Sequence, residues 1–138
     1  MKKVFVLFSV LMLCAVFTAC GSGGGSGSST SQGSTDATLA NTWKLISENG
    51  AEPDWVEILS LNADNNYSIS ATFSDGSTCT LTGTYTASGN TVTSNATGTS
   101  NSSLCPITNS TISFTYSISG NNMTLTGSDN TISVYQKQ

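Results

Sequence analysis

Histidine and arginine are absent from this sequence, and all four basic residues are lysines, Lys2, Lys3, Lys44 and Lys137. Without histidine, the side chain that most often moves protons at neutral pH is missing, so Ser–His–Asp and Cys–His machinery is excluded. A zinc site is not expected either, since without histidine the domain after residue 39 offers only Cys79 and Cys105 as soft ligands. Four lysines cannot form a basic stripe, which argues against nucleic-acid binding. Charged residues make up only 9% of the 138. Low charge with much Ser, Thr, Asn and Gly is a signature of disorder. Large apolar side chains nevertheless recur periodically after residue 39, and that argues for a folded domain there.

The N-terminus opens with the basic Met1-Lys2-Lys3 and continues as an apolar run from Val4 to Val16. A run that short, behind a basic flank, reads as the core of a signal peptide rather than as a retained membrane helix. The next stretch, Phe17-Thr18-Ala19-Cys20-Gly21, resembles the lipobox of bacterial lipoproteins. That resemblance implies cleavage before Cys20, a lipidated thiol and an acylated amine, three acyl chains in all with palmitate among them. Several chains hold a protein to a bilayer firmly where one does not. Gly21 in place of Asp resembles the outer-membrane sorting class of lipoproteins, in a diderm organism. The alternative is an ordinary secretory signal cut near Ala19, which leaves a soluble envelope or secreted protein.

Three segments follow from this: a signal peptide over residues 1–19, the lipidated Cys20 with a Gly/Ser linker over 20–38, and a domain over 39–138. The linker from Gly21 to Thr38 has no large apolar residue and reads as a flexible spacer. Once Lys2 and Lys3 are removed, two lysines face eight acids and the net charge is −6. Cys14 falls in the signal peptide and Cys20 at the lipid site, which leaves Cys79 and Cys105 in the domain. In an oxidising compartment such a pair is expected to form a disulfide. It would tie the Ser/Thr/Asn-rich loop from Thr97 to Asn109 to the fourth strand, worth roughly 3 kcal/mol in the chain-entropy picture.

The domain shows alternation of period two and no helical periodicity. Trp43 and Leu45 share a face in a segment from Leu39 to Ser47. Trp55, Leu59 and Leu61 alternate in the second, then Tyr67, Ile69, Ala71 and Phe73 in the third. Asp75-Gly76 marks a hairpin into Cys79, Leu81, Gly83 and Tyr85. Thr91 to Ala96 is the weakest strand. Ile112, Phe114, Tyr116 and Ile118 form the sixth, and Gly120-Asn121 turns into Met123, Leu125 and Gly127. The last strand runs from Thr131 to Lys137, with Ile132 and Val134 expected to point inward. About eight short strands with one apolar and one Thr/Ser face predict an all-β domain, a small antiparallel up-and-down barrel. A β-sandwich is the alternative.

The first-strand segment Leu39-Ala40-Asn41-Thr42-Trp43-Lys44-Leu45 resembles the opening strand of lipocalin-like domains of the calycin group. Asp64-Asn65-Asn66-Tyr67, Gly83-Thr84-Tyr85, Gly89-Asn90-Thr91 and Ser119-Gly120-Asn121-Asn122-Met123-Thr124-Leu125 are similar to the hairpins of small bacterial lipocalin-like lipoproteins. The resemblance covers residues 39–138 and implies a membrane-anchored binding module for a small apolar ligand.

Trp43 is expected in the barrel floor. Trp55, Leu59, Ile69, Phe73, Leu81, Tyr85, Phe114, Tyr116 and Met123 are the residues that would line a ligand cavity. Small barrels usually fill their interiors, and for these same residues packed core is the preferred expectation. Glu48, Glu52, Asp54 and Glu57 are expected to form a solvated acidic loop, with a weak Ca²⁺ site or a carboxylate pair as sharper alternatives. No cofactor, metal or catalytic activity is expected. The alternative functions are a protein-interaction module of the envelope, resembling small barrel inhibitors of proteases, and a surface lipoprotein without a discrete ligand.

Overall fold

A computed structural model describes residues 38–107 and 111–138. The expected signal peptide, Cys20 and most of the linker lie outside the described residues. Eight strands follow one another: β1 (Thr42–Glu48), β2 (Val56–Leu61), β3 (Asn66–Thr72), β4 (Thr78–Ser88), β5 (Thr91–Thr99), β6 (Ile112–Ser119), β7 (Asn122–Gly127) and β8 (Ile132–Lys137). Each pairs with its sequence neighbour, and β8 pairs with β1, so the sheet closes into an up-and-down antiparallel barrel. Closure leaves no free sheet edge, and the sandwich alternative is set aside.

Turn chemistry drives this order. Three hairpin turns carry an aspartate whose carboxylate accepts from the backbone N–H two residues on: Asp64 from Asn66, Asp75 from Ser77 and Asp129 from Thr131. Such Asx turns reverse the chain without tertiary help. Between β1 and β2, Asn49 and Gly50 both take positive φ, 50° and 81°. Glu48 and Ala51 exchange backbone hydrogen bonds around them at 2.8 and 3.0 Å. That is the primed two-residue turn favoured by Asn-Gly.

The two ends of the barrel differ. The β2–β3, β4–β5 and β6–β7 turns gather at one end with the segment before β1. This end is packed: Leu39, Trp43, Leu61, Tyr67, Tyr85, Ala87, Val92 and Met123 form one buried cluster. Trp43, buried as expected, donates its indole N–H to the Leu39 carbonyl at 3.0 Å. The Tyr85 hydroxyl donates to Asn62 O at 2.8 Å. The longer β1–β2 and β5–β6 connections lie at the opposite end, the mouth.

The disulfide between Cys79 and Cys105 is present, with a Cα–Cα distance of 6.3 Å. It ties the β5–β6 connection to β4 at the mouth. Asn101 organises that connection by accepting from the N–H groups of Ser103 and Leu104. The Thr99 hydroxyl donates to Cys105 O at 2.9 Å. β5 runs to Thr99, so residues 97–99, expected in the loop, belong to the strand.

One inward assignment is overturned. In β8 it is Tyr135 that is buried, paired with the buried Met123 and Leu45. Ser133 shares its face, while Ile132 is 45% exposed and Val134 turns outward with it. The alternation of Ile132 and Val134 is real, but the register is set by the larger ring of Tyr135, whose burial removes more apolar surface from water.

Candidate functional site: a buried carboxyl at the barrel mouth

Glu57 is the only charged side chain in the core of the described residues, 7% exposed. Its place follows from the period of β2. Glu57, Leu59 and Leu61 are buried while Val56 is exposed, so the acid stands in the row of the apolar residues. The expectation of a solvated acidic loop is therefore corrected at this position. Glu52 and Asp54 are exposed, and the four acids do not come together. Among the described residues no group of three or more Cys, Asp or Glu is placed to hold a metal ion.

A carboxyl inside a barrel needs donors. Tyr135 on β8 donates its hydroxyl to Glu57 Oε1 at 2.6 Å, within the buried interior. Trp55 donates its indole N–H to Oε2 at 3.3 Å. Each oxygen thus accepts one hydrogen bond, and both donors are neutral. The Tyr135 hydroxyl is pushed well above its ordinary pKa by burial, then by the charge of Glu57 and its hydrogen bond, and by Glu48. It remains a phenol and a donor.

Glu48 joins this corner because β1 carries a bulge. The β1–β8 register shifts between Leu45 and Ser47, so that Ser47 pairs with Val134 and Glu48 with Ser133. Without the extra residue, parity would place Ser47 inward beside Leu45. The bulge aims Glu48 inward instead, as bulges re-aim side chains elsewhere. Burial raises the Glu48 pKa first, and the charges of Glu57 and Asp129 raise it further. The strand end is held by Asn49, whose N–H donates to Ile132 O at 2.7 Å and whose side-chain oxygen accepts from Ile132 N–H at 2.9 Å.

The nine residues expected to line a cavity divide into three groups. Leu59, Tyr85 and Met123 are buried in the packed cluster. Ile69, Leu81, Phe114 and Tyr116 are half-buried. Ile69 is paired with the buried Leu59, and Phe114 with the buried Val92, so both face inward. Leu81 faces the same interior as the register partner of Ile69, and Leu125 as the neighbour of Met123 two residues on. Each keeps some accessible surface, and Ile69, Phe114 and Leu125 pack against the buried cluster. Tyr116 sits lower, its hydroxyl donating to Gly89 O at 3.0 Å. Trp55 and Phe73 meet on the rim instead, in an open hollow of about 300 Å³ shared with Pro53, Asp54, Val56, Thr72 and Ser74.

Sequence reasoning missed Glu57, Glu48 and Tyr135 as interior groups. A signal for Glu57 was there, since it occupies the period-two position between Trp55 and Leu59. No comparable signal exists for Glu48, because the bulge that turns it is a tertiary feature.

Closed eight-stranded antiparallel barrels either fill their interiors with side chains or hold one small ligand. Among solved structures the chain is similar to a lipocalin-like protein from Bacteroides uniformis ATCC 8492, with a TM-score of 0.61 and 18% identity. The match covers 74% of this chain and 100% of that one. At that identity the likeness shows the fold. No family model and no curated protein matches the chain.

Proposed function

We propose that this protein is a lipid-anchored envelope protein whose barrel takes up a small, largely apolar molecule through its mouth. One observation carries the reading: Ile69, Leu81, Phe114 and Leu125 face inward yet keep accessible surface, beside the buried hydrogen-bonded carboxyl of Glu57. An apolar recess with a few fixed polar groups is the usual form of a ligand site. The likeness to a lipocalin-like protein supports the same reading. The protein binds and does not catalyse. The anchor rests on the sequence around Cys20, and Cys20→Ser should move the chain from the membrane fraction to the soluble one.

Native mass spectrometry of the exported chain tests the binding reading. Extra mass that is lost on mild denaturation supports it and gives the ligand's class. A bare mass, together with no uptake of an added fluorescent apolar probe, would overturn it.

A further inference from the structure

We propose that the ligand is a cationic amphiphile: an apolar body with a protonated amine, the ammonium seated at Glu57 and Glu48 beside the rings of Trp55 and Tyr135. The inference rests on the binding reading above and specifies its ligand class.

The charge inside the mouth is of one sign. Glu57 is buried and Glu48 half-buried on the adjoining strand end. The cations of the described residues, Lys44 and Lys137, are both exposed, Lys44 on the outer face of β1 and Lys137 at the packed end. A carboxylate offers about four acceptor positions, and Glu57 uses two of them, on Tyr135 and Trp55. Its remaining capacity has no cationic partner among the described residues. A buried carboxylate without an opposite charge is costly, and an incoming ammonium offsets that cost with a charge-assisted hydrogen bond.

The neighbouring groups suit the same guest. Trp55 and Tyr135 are held at the carboxyl by their own hydrogen bonds, and aromatic faces attract ammonium groups. The inward side chains Ile69, Leu81, Phe114 and Leu125 are hydrocarbon or aromatic, which fits the apolar body. The site also discriminates by repulsion. A fatty acid of the same length would bring a third carboxylate to Glu48 and Glu57, and specificity against a competitor is commonly built that way.

The test uses the full chain and three probes of equal chain length: octylammonium, octanol and octanoate. Binding is read by tryptophan fluorescence and calorimetry near pH 7. Octylammonium should bind about tenfold or more tighter than octanol, and octanoate more weakly than either. Glu57→Gln should bring the amine-to-alcohol affinity ratio towards one. If that variant does not fold, Glu48→Gln and a salt titration replace it, since added salt should lower the ratio. Octanol or octanoate binding as tightly as octylammonium would overturn the amine inference and leave the apolar-ligand reading standing. Failure of all three probes to bind would overturn both.

Discussion

Removing the Tyr135 hydroxyl isolates what the buried carboxyl costs. Tyr135→Phe keeps the ring, which is 6% exposed and packed on Met123 and Leu45. It deletes only the donor lying 2.6 Å from Glu57 Oε1. Glu57 then stays in the interior with the longer Trp55 contact of 3.3 Å as its remaining hydrogen bond. A hydrogen bond to a charged group is worth about 1.5–3 kcal/mol, so the variant should lose about 2 kcal/mol. For a domain of this size that lowers Tm by about 8–16 °C. Glu57→Met fails for the complementary reason, because it strands a buried phenol hydroxyl at a cost of about 1–3 kcal/mol. The double variant Tyr135→Phe/Glu57→Met strands neither group. It should recover to within about 1 kcal/mol of the natural protein or exceed it, since apolar replacement of a buried polar pair is often neutral or better. Thermal and urea unfolding of all four proteins closes the cycle. If the double variant loses the sum of the two single losses, the groups do not interact in the folded protein and the site has been misread. If it is the most stable of the four, the pair is held against stability, as binding groups often are.

Two further outcomes follow from the same geometry. Glu48 has its pKa raised above 4.5 by burial and by its acidic neighbours, so the folded state holds that proton more tightly than the unfolded one. Stability should therefore rise as pH falls from neutrality through the raised value towards about 4.5, a trend that Glu48→Gln should flatten. Below that range the lowered pKa values of Asp64 and Asp129, set mainly by hydrogen bonds from Asn66 and Thr131, reverse the sign, and stability should fall as pH drops below 3.8. Melting curves from about pH 3 to pH 8 read both limbs. Gly83→Ala should be strongly destabilising, because the added methyl would press on Asn95 O, on Tyr67 Cε1 at 2.7 Å and on Ala96 Cα at 2.9 Å. A loss of about 1–3 kcal/mol or more in urea unfolding is expected, and an unchanged midpoint would mean that β4 and β5 are not packed so closely there.

Strand order and closure were legible because the signals are local. Alternation, Asp75-Gly76, Gly120-Asn121 and the Asp-led turns each act within a few residues, and all eight strands appear where those signals put them. The errors arose where parity depends on distant partners. Ile132 and Val134 alternate convincingly, yet the face of β8 is decided by where Tyr135 meets Met123 and Leu45. Glu48 is turned by a bulge against β8, most of the chain away. Glu57 is different in kind. Its spacing was readable, but a charged residue next to Glu52 and Asp54 looks solvated unless the distant donor is known, and Tyr135 lies 78 residues on. Asn49-Gly50 was likewise a hairpin signal inside what was read as loop, and it holds Glu48 in place.

The outer wall has a consequence of its own. Outward positions on β3 to β7 carry Ser, Thr and Asn, some bonded across strands, as in Thr93–Ser113 at 2.9 Å. Lys44 is the one charge among the outward strand positions of the barrel's midsection, and the exposed acids Asp64, Asp75 and Asp129 sit in the turns at its ends. Two copies meeting along the β3–β7 flank would therefore meet hydroxyl against hydroxyl, with little long-range repulsion, whereas the β8–β1–β2 flank exposes Val56 and Ile132. Contact along the hydroxyl-bearing flank would be limited by hydration rather than by charge, while the acidic groups stay at the ends of the barrel.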